Sequence, residues 1–266
     1  MAHNEKITSV QNTRVKNLKK LEKASERREQ NLVLIEGLRE TVLAQRAGYE
    51  ITALYLCDEI TGDNNGYSVD EIKSPDTFHL SPAVYDSLAY RETTEGVIAT
   101  VRPQNLDIEN LKLPAQPLIL VIEGVEKPGN LGAMLRTCDA AGVDAVIICD
   151  PKTDVYNPNV IRSSVGAIFT NQIAVCNTAQ AIAFLKPKNI KTFAAELEAT
   201  RYHYQQNFET GTAMVVGTEA TGLSAEWLAA ADEKIKIPML GKIDSLNVSV
   251  SAGILLFEAR RQRMKA

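Results

Sequence analysis

The sequence predicts a two-part α/β protein whose larger, C-terminal part is a mostly parallel sheet covered by helices on both faces. Two observations carry that class. From residue 118 onward, short continuous apolar runs alternate with helical segments, the pattern of strands buried on both sides. The stretch RPQNLDIENLKLPAQP, with three prolines and little periodicity, separates that alternation from a smaller set of strands and helices before it. A length of 266 residues exceeds one typical domain and agrees with two. The expected division is 1–103, a linker at 104–117, and 118–266.

In the first part, residues 9–29 read as one helix with a thin apolar stripe of Val15, Leu18 and Leu21. LVLIEG, ITALYLC and GVIATV are rich in branched residues and read as short buried strands. Between them lie the helical LRETVLAQRAG, closed by Gly48, and a second helix near SPAVYDSLAY, opened by Ser81. In the second part the order is strand LILVIEGV, helix NLGAMLRTCDAAG, strand AVIICD and helix NPNVIRSSVGAIF. QIAVC, TAQAIAFLK, KTFAAEL, AMVVG, the helix SAEWLAAAD, KIKIP and a long final helix follow. Sheets of this kind bind ligands in loops at the carboxyl ends of their strands.

Composition is that of an ordinary globular chain: 45% apolar and 23% charged, which allows a sizeable core. MAHNEKITSV carries no apolar stretch, so no secretory signal is expected, and no run approaches the ~20 apolar residues of a membrane span. The four cysteines form no C-x-x-C pair and read as reduced thiols; no metal is expected and a cytoplasmic location is. The net charge of -4 conceals an asymmetry, because residues 1–46 hold ten Lys/Arg against six Asp/Glu. A second basic cluster is RRQRMK near the end. The first cluster reads either as a nucleic-acid patch or as a solvated helix face laced with i,i+4 pairs. The histidines, His3, His79 and His203, do not converge. Tyr202, Tyr204 and Phe208 around His203 read as loop packing, with base stacking as the alternative.

Three strand-to-helix loops carry the chemistry. In EKPGNLGAMLR, Pro128-Gly129 makes a turn and Asn130 is the expected N-cap of a helix that Gly142 ends. Leu131, Met134, Leu135, Cys138 and Ala141 form its apolar stripe. Gly132, Ala133, Arg136 and Ala140 fall opposite, a face small enough for a ligand, another helix or another subunit to approach, with Arg136 placed to meet an anion.

In GTEATGLS, Gly217, Gly222 and Ser224 have the spacing of a phosphate-binding P-loop, but Leu223 occupies the lysine position and Glu219 sits inside. A polyphosphate would be repelled, and Ser224 is the expected cap of the helix that follows. In IPMLGKIDSLNVSVSAGILLFEARRQR, Ser245 or Asn247 caps a final helix with a stripe of Val248, Ala252, Leu255, Leu256 and Ala259. Hydroxyl and β-branched residues crowd its first turns, which suits close packing or a ligand rather than helix propensity.

Together these loops resemble the three signature motifs of the SpoU (TrmH) family of RNA ribose 2'-O-methyltransferases. Asn130 to Arg136 match the first, Gly217 to Ser224 the second, and Ile237-Pro238-Met239 with Ser245 to Ser251 the third. The resemblance is strong over 107–266 and looser over 1–100, where VLIEGLRE is the clearest phrase.

It implies a C-terminal α/β knot (a deep trefoil knot) behind a smaller N-terminal domain of ribosomal-protein-like fold, S-adenosylmethionine as cofactor, and a homodimer acting on RNA, with ribosomal RNA favoured over transfer RNA. It implies Arg136, Asn130, Glu219, Ser245 and Asn247 as catalytic residues. Gly217, Thr218, Glu219, Ile237, Met239, Leu246 and Asn247 would hold the cofactor, and Arg136, Arg14, Lys16, Lys19, Arg162 and Ser163 would face RNA. The family's proposed base is Arg136, but a guanidinium stays charged, so electrostatic stabilisation of the forming alkoxide is the preferred role. A non-catalytic RNA-binding protein of the same fold is the alternative from another class. A Rossmann methyltransferase is disfavoured because no G-x-G loop follows an early strand.

Overall fold

The computed structural model describes residues 5–62, 66–90, 95–218, 221–243 and 245–264. Two compact units emerge, one of residues 1–105 and 156–170, the other of 106–155 and 171–266.

The first unit holds β1 (Glu5–Ile7), α1 (Thr13–Lys20), α2 (Ala24–Gln30), β2 (Val33–Glu36), α3 (Leu38–Arg46), β3 (Ile51–Leu56), β4 (Thr77–Leu80), α4 (Pro82–Asp86) and β5 (Val97–Val101). Its sheet runs β1-β4-β3-β5-β2, with β3 and β2 antiparallel to β5 and the remaining pairs parallel. Val15, Leu18 and Leu21 are buried against Phe78, Leu80 and Tyr85, as the stripe predicts.

The single helix expected over 9–29 is two. Arg27 is only 4% exposed, and its Nη1 donates to the carbonyls of Leu21 and Glu22, satisfying the open end of α1 while α2 restarts at Ala24. Part of the basic run is therefore structural rather than a solvated face.

The second unit holds β6 (Leu118–Glu123), α5 (Pro128–Ala141) and β7 (Ala145–Cys149). The segment expected as one helix at 157–169 is two short helices grouped with the first unit, α6 (Pro158–Ser164) and α7 (Ala167–Thr170). They break where Val165 and Gly166 both take positive φ. The second unit continues with β8 (Ile173–Cys176), α8 (Thr178–Leu185), β9 (Lys191–Ala195), β10 (Arg201–Tyr202), β11 (Thr212–Val216), α9 (Ala225–Ala230), β12 (Glu233–Lys236) and α10 (Val248–Arg263).

Its seven strands run β10-β12-β9-β11-β6-β7-β8, every pair parallel, with β11 inserted between β9 and β6. Every residue of β6, β7 and β11 is buried, which is why these strands read as unbroken apolar runs. The stretch at 104–117 contains a 3-10 turn at Ile108–Asn110 whose Ile108 is 7% exposed and joins the second unit's core.

α5 and α10 pack together. Gly253 faces Thr137, whose Cγ2 would stand in ordinary contact with a Cβ there at 3.7 Å, and Arg260 Nε donates to the Ala141 carbonyl at 2.6 Å. α10 thus meets α5 at Thr137 and Ala141, and Gly132, expected on the outer face, is buried. Arg260 also donates to Gly142, and Arg263 reaches the carbonyls of Phe208, Gln116, Pro117 and Thr210. Arg261 pairs with Glu258. All three arginines of RRQR have partners within the fold. Among the described residues no helix is long and apolar enough to cross a membrane.

Candidate active site

The loops at the carboxyl ends of β9, β11 and β12 and the first turns of α10 surround one cleft of about 440 Å³. Val216, Leu228, Ile235 and Leu255 contribute apolar residues to it, and Gly217, Thr218, Ile237, Met239, Ser245 and Leu246 also line it. Six of the sequence-predicted cofactor and catalytic positions meet here. Glu219 lies outside the described residues.

The loop after β11 closes on itself. Thr218 N–H donates to the Gly222 carbonyl and Gly222 N–H to that of Thr218, while Thr221 N–H donates to Thr218 Oγ1 at 3.0 Å. Gly222 takes φ +67°, and a Cβ on Gly217 would stand 2.2 Å from the Gly222 oxygen. The two glycines are thus demanded by the turn itself, and Gly217 by the crossing backbone. Leu223, in the position of a P-loop lysine, is 8% exposed and belongs to the core. Ser224 caps α9 as expected, its Oγ accepting from Trp227 N–H.

One residue missed by the sequence reading organises this loop. Glu123, at the end of β6, is 8% exposed; its Oε2 accepts from Ser224 N–H at 2.8 Å and its Oε1 from Thr178 Oγ1 at 2.7 Å. Both carboxylate oxygens are satisfied, as a buried charge requires. A glutamate closing an otherwise apolar strand was the available signal. Beside it, a Cβ on Gly124 would meet Thr218 Cγ2 at 3.0 Å, so the loops after β6 and β11 pack closely.

The third loop ends on Asn247, which caps α10: its Oδ1 accepts from Ser249 N–H at 3.0 Å and from Ser249 Oγ at 2.6 Å. Its Nδ2 donates to Asn130 Oδ1 at 3.2 Å, joining the first and third motifs. Asn130 is not the cap of α5. Pro128 starts that helix from an N-cap at Lys127, because proline's fixed φ suits the first helical position, and Asn130 falls in the first turn. Its side chain is turned to the Asn247 contact instead.

Ser245, the other candidate cap, lines the cleft. Arg136 is exposed on α5, about 9 Å along the axis from Asn130, and does not line the cleft of its own chain. Arg14, Lys16, Lys19 and Arg162 are exposed on the first unit. There Arg14 lies over the Phe78 ring at 4.3 Å and Arg162 over Tyr90 at 5.9 Å, while Ser163 Oγ donates to the Asn159 carbonyl. Elsewhere His79 pairs with Asp58, and Phe208 is a core ring against Phe193. Burial raises the Cys138 thiol well above its ordinary range, while the hydrogen bond between Cys149 and Cys176 raises the first and lowers the second.

Residues 117–257 match the SpoU rRNA Methylase family, and residues 12–99 match the MRM3-like substrate binding domain. The chain is 39% identical over 191 residues to a 23S rRNA (guanosine-2'-O-)-methyltransferase RlmB of Vibrio cholerae, covering 70% of this chain and 77% of the relative. It is 30% identical over 254 residues to the 23S rRNA (guanosine(2553)-2'-O)-methyltransferase RlmP of Bacillus subtilis, covering 96% and 98%. A crystal structure of an RNA 2'-O ribose methyltransferase superposes with a TM-score of 0.84 at 37% identity over 97% of this chain and 99% of that one. An AdoMet-bound rRNA methyltransferase from Sinorhizobium meliloti shares the fold, with a TM-score of 0.87 at 24% identity over 98% and 99%.

Proposed function

The chain belongs to the SpoU rRNA methylase family, and from that premise we propose that it methylates a ribose 2'-hydroxyl of ribosomal RNA, with S-adenosylmethionine as methyl donor. The observation that carries the reading is the convergence of the loops after β9, β11 and β12 on one cleft, with the start of α10 tied to the first motif by the Asn247–Asn130 hydrogen bond.

The cleft fits that donor. Its volume lies in the ~300–1,000 Å³ range of small-molecule sites, and part of its lining is apolar. Lys236 is the one Lys or Arg among its described lining residues, beside Glu196 and Glu198. Such a lining suits an uncharged adenosine and a sulfonium, and it disfavours a polyphosphate. The main chain around Gly217, Ile237, Met239 and Leu246 would hold the nucleoside and amino-acid portions.

When bound, S-adenosylmethionine supplies an electrophilic methyl group. Leu255, Val216 and Ile235 keep water from one side of the cleft. The Asn130 and Asn247 carboxamides orient the ribose, which converts a chance encounter into an in-line approach. Arg136 remains a cation, clamps a backbone phosphate and stabilises charge developing on the 2'-oxygen, while the proton passes to water. Glu219 is the further catalytic and cofactor-binding candidate that the family resemblance implies.

Related readings rest on the same premise. The insertion of β11 between β9 and β6, with α10 returning to α5, supports a trefoil knot in a methyltransferase domain at 118–266. The mixed sheet before it supports an accessory domain of ribosomal-protein-like fold at 1–103, where Arg14, Lys16 and Lys19 face RNA, as Arg162 and Ser163 do on α6. On α10, Val250 and Phe257 are each 50% exposed and Met264 is 69% exposed, seven residues apart on one stripe, which supports a homodimer. The cytoplasm is the matching location.

The test is Arg136→Ala with ribosomal RNA from cells lacking the gene. Methyl transfer should fall at least about a hundredfold, with S-adenosylmethionine binding by calorimetry nearly unchanged. A wild-type rate in that variant would overturn the role given to Arg136, and no methylation by the wild-type protein would overturn the function.

A further inference from the structure

A second site stands on the edge of the same unit. β10 is the sheet's last strand, and it pairs Tyr202 with Lys236 of β12. The Tyr202 and Tyr204 rings stack with centroids 5.4 Å apart and planes 14° apart, and the Lys236 ammonium lies 5.7 Å from the Tyr202 centroid. His203, 9% exposed, meets Tyr204 edge-on at 5.3 Å. Tyr204 is thus held by two rings yet remains 52% exposed. An immobilised ring with an open face is a stacking platform whose ordering entropy was lost on folding rather than on binding.

Tyr204 borders an open recess lined mainly by amides: Gln205, Gln206, Asn207 and Gln262, with Arg261 beside them. Most of those groups are engaged. Gln205 Oε1 accepts from Tyr202 N–H, Asn207 Oδ1 from Glu209 N–H, and Gln262 bonds Phe208, Gln206 and Glu258. Gln206 differs. The residue is 9% exposed, and its Nε2, buried within the lining, has no hydrogen-bond partner among the described residues. A buried donor left unmatched costs folding free energy and calls for an acceptor.

The charge of the recess narrows the choice of ligand. Arg261 is neutralised by its two hydrogen bonds to Glu258, and Glu209 adds a carboxylate, so nothing here draws a phosphate. A flat, uncharged group with an acceptor on its edge fits the ring and the amide together. Lys236 lies over Tyr202 and also lines the cofactor cleft, which places the platform beside the chemistry.

We propose that Tyr204 and Gln206 form a subsite for one unpaired nucleobase of the RNA, flanking the methylated nucleotide, with the base stacked on Tyr204 and an edge acceptor taking the Gln206 amide hydrogen once a turn of that side chain opens its buried Nε2 to the recess. The subsite rests on the reading of the cleft as an RNA methyltransferase centre. An unpaired base is required because duplex stacking hides both ring faces.

The test uses full-length protein and deproteinised ribosomal RNA from cells lacking the gene. Methyl transfer is followed kinetically and RNA binding by filter retention at fixed salt. Tyr204→Ala should raise KM and Kd for that RNA about tenfold, as loss of one stacked base does, with kcat and S-adenosylmethionine affinity within about twofold of wild type. Tyr204→Phe should restore wild-type KM, and Gln206→Leu should raise it severalfold.

Unchanged KM and Kd in Tyr204→Ala, or a Tyr204→Phe as weak as the alanine variant, overturns the subsite while leaving the methyltransferase reading in place. A change of molecular mass by light scattering in Tyr204→Ala also overturns it, by making the ring a subunit contact. Inactive wild-type protein overturns the reading of the cleft. In that case a tenfold loss of RNA retention in Tyr204→Ala would still support the platform on its own.

Discussion

Replacing Glu123 with alanine should loosen the cofactor loop more than any exposed substitution on the same unit. The carboxylate is 8% exposed and accepts from Ser224 N–H at 2.8 Å and Thr178 Oγ1 at 2.7 Å. Hydrogen bonds to a charged group contribute about 1.5–3 kcal/mol each, and both donors would be left unmatched in the interior. Relief of the buried charge offsets part of this, so the net loss is about 3 kcal/mol.

The chain's one tryptophan is a reporter at the right place. Trp227 is 1% exposed and its main-chain N–H donates to Ser224 Oγ, so its fluorescence follows unfolding of the second unit. With a urea slope of about 2 kcal/mol per molar, the midpoint should fall by about 1.5 M. If half of the disturbance reaches the 217–223 loop, S-adenosylmethionine affinity falls about tenfold. Glu123→Gln should lose far less, because its oxygen can face Ser224 N–H while its amide donates to a rotated Thr178 hydroxyl. A midpoint for Glu123→Ala within about 0.3 M of wild type, some 0.6 kcal/mol, would refute the account of the carboxylate as a loop anchor.

Three further outcomes follow from the same geometry. Gly217→Ala should weaken S-adenosylmethionine binding in calorimetry by at least about tenfold, because the added carbon meets the Gly222 main chain, which cannot move without opening the turn. Phe257→Asp should convert the proposed dimer into a monomer in light scattering, since it sets a charge in the middle of the exposed α10 stripe; a wild-type mass would show that the stripe is not the interface. Arg261, with Gln262 assisting, holds the Glu258 carboxyl at about 2, below its ordinary 4.5. The folded state therefore takes up that proton later than the unfolded one. The stability Arg261→Ala lacks relative to wild type should be fully present above about pH 4.5 and vanish as the pH falls toward 2, measured by urea unfolding across that range.

The sequence made the second unit legible because its signals are local. Apolar runs such as LILVIE and AVIIC need no knowledge of their neighbours, and Ser224 caps the helix that begins at the next residue. What escaped is long-range. Glu123 acts on Ser224, 101 residues away, and no window of sequence joins them. Arg27 looked like surface charge until its guanidinium closed the end of α1. Likewise RRQRMK looked like an electrostatic patch, whereas Arg260 and Arg263 are engaged with main-chain carbonyls.

Short edge strands such as β1 and β10 have three and two residues, too few for any periodicity to register. At Asn130 two local rules competed, an asparagine able to cap and a proline able to start a helix, and the proline prevailed. The asparagine side chain was thereby turned toward Asn247, and that contact follows from the loss of a capping role.

Every residue lining the cleft falls between Ala195 and Leu255. A ribosome making this chain delivers the first unit's strands, then β6, β7, β8 and β9, with no complete wall for the cofactor to meet. β11 must next enter between β9 and β6, two strands already synthesised, and only then can its loop, β12 and the start of α10 enclose the site. Cofactor capture is therefore a late event in biogenesis, coupled to completion of the sheet's centre. On the proposed function, an enzyme that marks ribosomes gains its methyl donor site only once the chain has been made through Leu255.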